Sequence, residues 1–217
     1  MAKSLNEVER RDVFQSAGKI GIETREDGTE VIVGHAAVFY DGTDGTQYDL
    51  FGDGTVLERI MPQAFSRALS ERHDVRALVN HDPNQILGRL PAGTLTLSVD
   101  RQGLRYEITP PDTQIGRDTL VSLKRGDMTG SSFAMRVREE TWTEDREAGI
   151  TVRQIEDVDL RDVGPVTYPA YKGADSGVAK RSLDDWRSQQ ESQGDENRRR
   201  RARLHEQMLT ADATDLQ

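Results

Sequence analysis

The chain of 217 residues contains no cysteine, which excludes disulfides, thiolate chemistry and zinc–sulfur sites. A reducing, intracellular setting fits that absence. Aromatic residues make up only 6% and histidines number four, so each histidine can be weighed singly. No apolar run approaches the roughly 18 residues that a membrane helix needs. The opening "MAKSLNEVERRD" lacks the apolar stretch of a signal peptide, so neither a leader nor a membrane span is expected. A net charge of −9 argues against non-specific nucleic-acid binding by the whole surface. What remains is 35% hydrophobic and 31% charged, polar enough that part of the chain is expected not to pack.

The apolar content concentrates between about Val31 and Tyr171, a span that suffices for one core. Residues 1–17 read as a polar, loose arm. "GKIGIETREDGTEVIVGHAAVFY" reads as two strands around the turn "EDGT", and Gly42–Gly54 as a loop. "PQAFSRALSERHD" is a helix, with Pro62 in its first turn and Ala64, Phe65, Ala68 and Leu69 on one face. "VRALVNHD" is a short strand ending at His81 and Asp82. Thr94–Val99 and Leu104–Ile108 flank the turn "DRQG" as a hairpin. "GRDTLVSLKRGD" is a second helix. "SSFAMRV" and "TVRQIEDVDL" are strands joined by a charged connection, Arg138–Gly149, and "VGPVTYPAY" is a last extended segment. About seven strands with two inserted helices predict an α+β fold, mainly β, built as a closed barrel. Residues 176–217 form a charged tail, flexible or helical around Arg198–Met208.

Of the histidines, His205 lies in the tail, His73 follows a helix as a cap or surface residue, and His35 faces a neighbouring strand. His81 stands at a strand end that feeds a loop, where a rigid scaffold presents reactive groups. The adjacent serines of "MTGSSFAM" pose the matching question. Alternation puts Phe133, Met135 and Val137 on the core face, with Ser132, Ala134 and Arg136 opposite. Ser132 then projects away from the core, and Ser131 points with the core set or into the turn. A serine hydroxyl needs a histidine to take its proton and a third group to orient that histidine. In "TVRQIEDVDLRDV", Val152, Val158 and Leu160 share a phase with Glu156, while Asp157 and Asp159 share the other with Ile155. If Val158 and Leu160 face the core, Asp157 points the same way as Ser132. Asp159 and Asp162 read as merely solvated. The absence of a G-x-S-x-G elbow argues against an α/β-hydrolase. From spacing alone, His81 with Ser132 and an acid is one triad among many.

The stretch from "GHAAVFY" through "ALVNHDPNQILGRLPAGTLTLSVDRQGL", "RGDMTGSSFAM" and "DVGPVTYPAY" resembles the prohead proteases of tailed bacteriophages, distant relatives of the herpesvirus capsid maturation proteases. The resemblance covers residues 18–175. It implies a serine endopeptidase on a closed β-barrel, with no cofactor and no metal. Such an enzyme digests scaffold protein, or the scaffolding segment of the major capsid protein, and commonly itself, inside the assembling prohead in the host cytoplasm. The implied partners are the scaffold and major capsid proteins and other copies of the chain, with neither nucleic acid nor membrane. The family histidine falls on His81 and its serine on Ser132. Where the herpesvirus relatives carry a second histidine, this chain has none, so an acid is the substitute: Asp157, with Glu156 as runner-up. Gly164 stands where many members carry serine, and Met135 where they carry an aromatic. The charged tail is a segment that self-cleavage would remove. A rival reading from another class is a catalytically silent assembly protein on the same barrel.

Overall fold

The structure is a computed structural model and describes residues 7–13, 20–168 and 177–214. In chain order its elements are β1 (Glu9–Val13), β2 (Gly21–Thr24), β3 (Glu30–Val38), β4 (Tyr48–Asp49), β5 (Val56–Ile60), α1 (Ser66–Ser70), β6 (Arg76–Leu78), β7 (Ile86–Arg89), β8 (Leu95–Val99), β9 (Gly103–Ile108), α2 (Gln114–Arg125), β10 (Gly130–Asp145), β11 (Ile150–Val166) and α3 (Gly177–Thr214). Two compact units result, Met1–Ser176 and Gly177–Gln217.

The mixed α+β class matches expectation, but the barrel does not. The strands form two separate sheets. One runs β1-β10-β11-β5-β4, with β6 and β7 added through β6 beside β11. The other runs β2-β3-β9-β8. Side chains of both sheets make one core, including Ile32, Leu104, Tyr106 and Ile108 from the smaller and Phe133, Met135, Ile155 and Val158 from the larger. Phe65, from the segment leading into α1, lies edge-on to Phe133 with ring centroids 5.6 Å apart. Burying each such side chain contributes about 2–3 kcal/mol.

Several local readings carry through. The β2–β3 and β8–β9 hairpins form as expected. α2 begins at a Thr113 cap, whose side chain accepts from the Gly116 amide, and ends at Gly126 in the left-handed region at φ 78°. Other readings change. The loose arm contains an ordered strand, β1, which pairs with β10; residues 1–6 and 14–17 of that arm lie outside the described residues, as do Pro169–Tyr171. The charged connection Arg138–Gly149 is largely strand, because β10 and β11 form one long hairpin that turns only after Asp145. Trp142 explains the extension: it is buried and lies 5.6 Å from the Arg153 guanidinium carbon. The tail is helical over Gly177–Thr214, as its wealth of Glu, Gln, Arg and Ala favours.

Candidate functional site

The site is assembled where β6 meets the β10–β11 hairpin. β6 pairs in parallel with β11, Ala77 opposite Val163, and the chain then leaves the sheet at Asn80 and His81. Both residues have positive φ, 53° and 57°. Two successive non-glycine residues in this region are costly, about 1–2 kcal/mol each. Asn80 offsets the cost: its backbone amide donates to Pro165 O at 3.0 Å, its side chain accepts from the Thr167 amide at 2.8 Å, and its Nδ2 donates to Thr167 Oγ1 at 3.1 Å. The turn is thereby fastened to the end of β11.

This places the His81 ring over the outer face of the hairpin. Ser132 pairs with Gly164 across β10 and β11, and Ala134 with Asp162. Side chains of paired residues share a face, so Ser132 and Asp162 are diagonal neighbours, about 7–8 Å apart by ordinary sheet geometry. The imidazole spans that diagonal. His81 Nε2 is 2.6 Å from Ser132 Oγ, and Nδ1 is 2.5 Å from Asp162 Oδ1. With Asp162 accepting from Nδ1–H, the Nε2 lone pair faces the serine hydroxyl. Gly164 supplies the close approach to β6: a Cβ there would lie 2.1 Å from the Leu78 carbonyl oxygen.

The expected partners thus meet in part. His81 and Ser132 are together, and Ser131 points to the other sheet, 2.7 Å from the Tyr106 hydroxyl. Asp157 is not at the imidazole, which corrects the expectation for the third member. Its carboxylate accepts from Arg67 Nε at 2.8 Å, while the same guanidinium reaches Asp159 at 2.8 Å, tying α1 to β11. Paired with Arg67 and Arg138, the Asp159 carboxyl is held below its ordinary range despite the opposing effect of burial. Glu156 accepts from Thr141 at 2.8 Å and is likewise remote from the ring. The acid beside His81 is Asp162, which the sequence reading takes as merely solvated. A bulge explains the miss. Met135 pairs with Leu160 but Ala134 with Asp162, so Arg161 is an extra residue and the faces exchange beyond it. Val163 then enters the core, and Asp162 joins Ser132 outside it.

The other histidines have structural partners: His35 Nε2 contacts Asp100 at 2.8 Å, and His73 Nε2 contacts Glu71 at 3.0 Å. The His205 side chain lies outside the described residues. Among the described residues no group of three or more His, Asp or Glu side chains is placed to hold a metal ion, and no helix is long and apolar enough to cross a membrane.

Ser132 is wholly buried despite lying on the outer face. Its Oγ faces a second acceptor, the Arg11 carbonyl oxygen, at 3.0 Å. A hydroxyl with one proton serves one of the two at a time.

No curated protein matches the chain. Among solved structures, the bacteriophage T4 capsid assembly protease gp21 is similar at 14% identity, with a TM-score of 0.41, covering 74% of this chain and 99% of that one. The family described as caudovirus prohead serine protease matches residues 19–189, from just before β2 into α3, and the chain belongs to that family of serine proteases.

Proposed function

We propose that the protein is a prohead maturation protease in which Ser132 is the nucleophile, His81 the general base and acid, and Asp162 the group that orients the imidazole. The carrying observation is the continuous hydrogen-bonded path from Asp162 Oδ1 through both ring nitrogens to Ser132 Oγ, with steps of 2.5 and 2.6 Å. In that arrangement Nε2 takes the hydroxyl proton as Oγ attacks a peptide carbonyl, and later returns it to the leaving amine. Asp162 stabilises the imidazolium formed between those events. The substrates are the scaffold protein or the scaffolding segment of the major capsid protein, met inside the assembling prohead in the host cytoplasm. Family membership supports this reading over a silent assembly role.

Coexpression with the capsid protein tests it. Ser132→Ala is expected to leave the capsid protein at its full mass, whereas the unaltered chain shortens it. Processing at the normal rate by Ser132→Ala would overturn the assignment.

A further inference from the structure

β1 occupies the edge of β10 at the candidate nucleophile. The two strands are antiparallel, from Glu9 opposite Met135 to Val13 opposite Ser131, with Asp12 opposite Ser132. The other edge of β10 is taken by β11 along its whole length. An extended peptide can therefore add to the serine strand only where β1 now lies. β1 already has the form of such a peptide, and it delivers one carbonyl, that of Arg11, to within 3.0 Å of Ser132 Oγ. It also lies outside residues 19–189, the part of the chain that matches the protease family.

The Arg11 side chain is anchored in a closed ionic cluster. Its Nε and Nη2 reach the two oxygens of buried Glu58 at 2.5 and 2.9 Å, and Nη2 also reaches Glu9 at 2.7 Å. Arg153 bridges Glu9, Glu58 and Glu140 from the other side. β1 brings Glu9 together with Arg11, so the cluster holds one more carboxylate than guanidinium whether β1 is present or set aside. What Arg11 supplies is a partner for both oxygens of buried Glu58, which without it keeps Arg153 alone, and a buried carboxylate that loses a partner is costly. The pocket floored by Glu58 therefore suits a guanidinium or ammonium carried in on a strand.

We propose that β1 is the enzyme's own first substrate, cleaved between Arg11 and Asp12, and that the pocket floored by Glu58 selects arginine or lysine immediately before the cleaved bond. The proposal rests on Ser132 being the nucleophile. Oγ forms a bond to the Arg11 carbonyl carbon while its proton passes to His81. The carbon–nitrogen bond to Asp12 breaks, and that proton leaves on the Asp12 amine. Water then hydrolyses the ester, restoring Ser132 and leaving Arg11 as a carboxylate. Until residues 1–11 depart, Glu9–Arg11 block the stretch of the edge from Phe133 to Met135, where the part of a substrate before its cleaved bond would pair.

The test follows the full chain, coexpressed with its capsid protein, by mass spectrometry under denaturing conditions. The expected result is a chain beginning at Asp12 in the wild type and an uncut chain in Ser132→Ala. Arg11→Asp should slow that cut at least tenfold, and Arg11→Lys should restore much of the rate, which separates side-chain recognition from a folding defect. In the purified wild type, turnover of an arginine-containing fluorogenic peptide should begin after a lag that matches loss of residues 1–11. Ser132-dependent cleavage of the capsid protein with residues 1–11 still covalently attached would overturn this inference and leave the protease assignment standing. An absence of all Ser132-dependent cleavage, together with no labelling by a serine-reactive phosphonate, would overturn both.

Discussion

At the scale of single residues, the assignments turn on which acid faces the imidazole. Asp162→Asn should lower kcat by about 10³–10⁴ with little change in KM, because an amide cannot hold Nδ1–H and stabilise the imidazolium as a carboxylate does. Asp157→Asn should leave kcat within a few-fold and cost about 1 kcal/mol or less of stability, since it weakens only the half-exposed pairing with Arg67. Peptide-cleavage kinetics on both variants check the pair. A large kcat effect at Asp157 with none at Asp162 would return the acid to the position that alternation first suggested. His81 and Ser132 were singled out by the family resemblance, each in a local context, a strand end and a strand phase, that survives in the structure. Asp162 was not legible, because its orientation depends on one extra residue, Arg161, whose presence in the ladder is set by pairing with β10.

At the scale of elements, the β6–β7 turn is the device that aims the histidine. Its two left-handed residues are held by Asn80 bonds to Pro165 and Thr167. Asn80→Ala removes both the side-chain hydrogen bonds and the asparagine tolerance for positive φ. It should cost about 1–3 kcal/mol by denaturant unfolding and reduce kcat at least tenfold. Asn80→Gly restores the backbone freedom alone and should recover part of kcat; no recovery would place the effect on the hydrogen bonds rather than the turn conformation. Gly164→Ala tests the other wall. A methyl 2.1 Å from the Leu78 carbonyl oxygen forces β6 away from β11 and should lower both stability and activity. Wild-type melting behaviour in that variant would mean β6 yields at no cost.

At the scale of the whole molecule, β1 is pinned to the body of the protease unit by a buried cluster of charges rather than by apolar packing. Burial raises the Glu9 pKa, but hydrogen bonds and attraction from Arg153 and Arg11 outweigh it, so its carboxyl sits below its ordinary value of 4.5. A depressed carboxyl contributes stability that is fully present above the unfolded value and is lost as pH falls through the folded one. Asp159 behaves in the same way, below its ordinary 3.8. In Ser132→Ala, which keeps residues 1–11, thermal unfolding is therefore expected to hold steady above about pH 5 and to fall progressively below pH 4.5. With Glu9 protonated, β1 loses a carboxylate facing two guanidinium groups, so its amide exchange should rise earlier in that descent than that of β10. A melting temperature unchanged down to pH 3 would show that these pairings carry no net stability.

The family resemblance singled out His81 and Ser132 as candidates, while the sequence alone determined the apolar periodicities, and with them the hairpins, the helix α2 and the α+β class. These follow from interactions within a few residues of one another. Tertiary structure decided the rest: two sheets instead of a closed barrel, a strand within the arm, and Asp162 rather than Asp157 beside the imidazole. Each depends on pairing between distant segments. A bulge, an added edge strand and an ion pair such as Arg67 with Asp157 leave no periodic trace in the chain, because the partner that creates them lies far away along it.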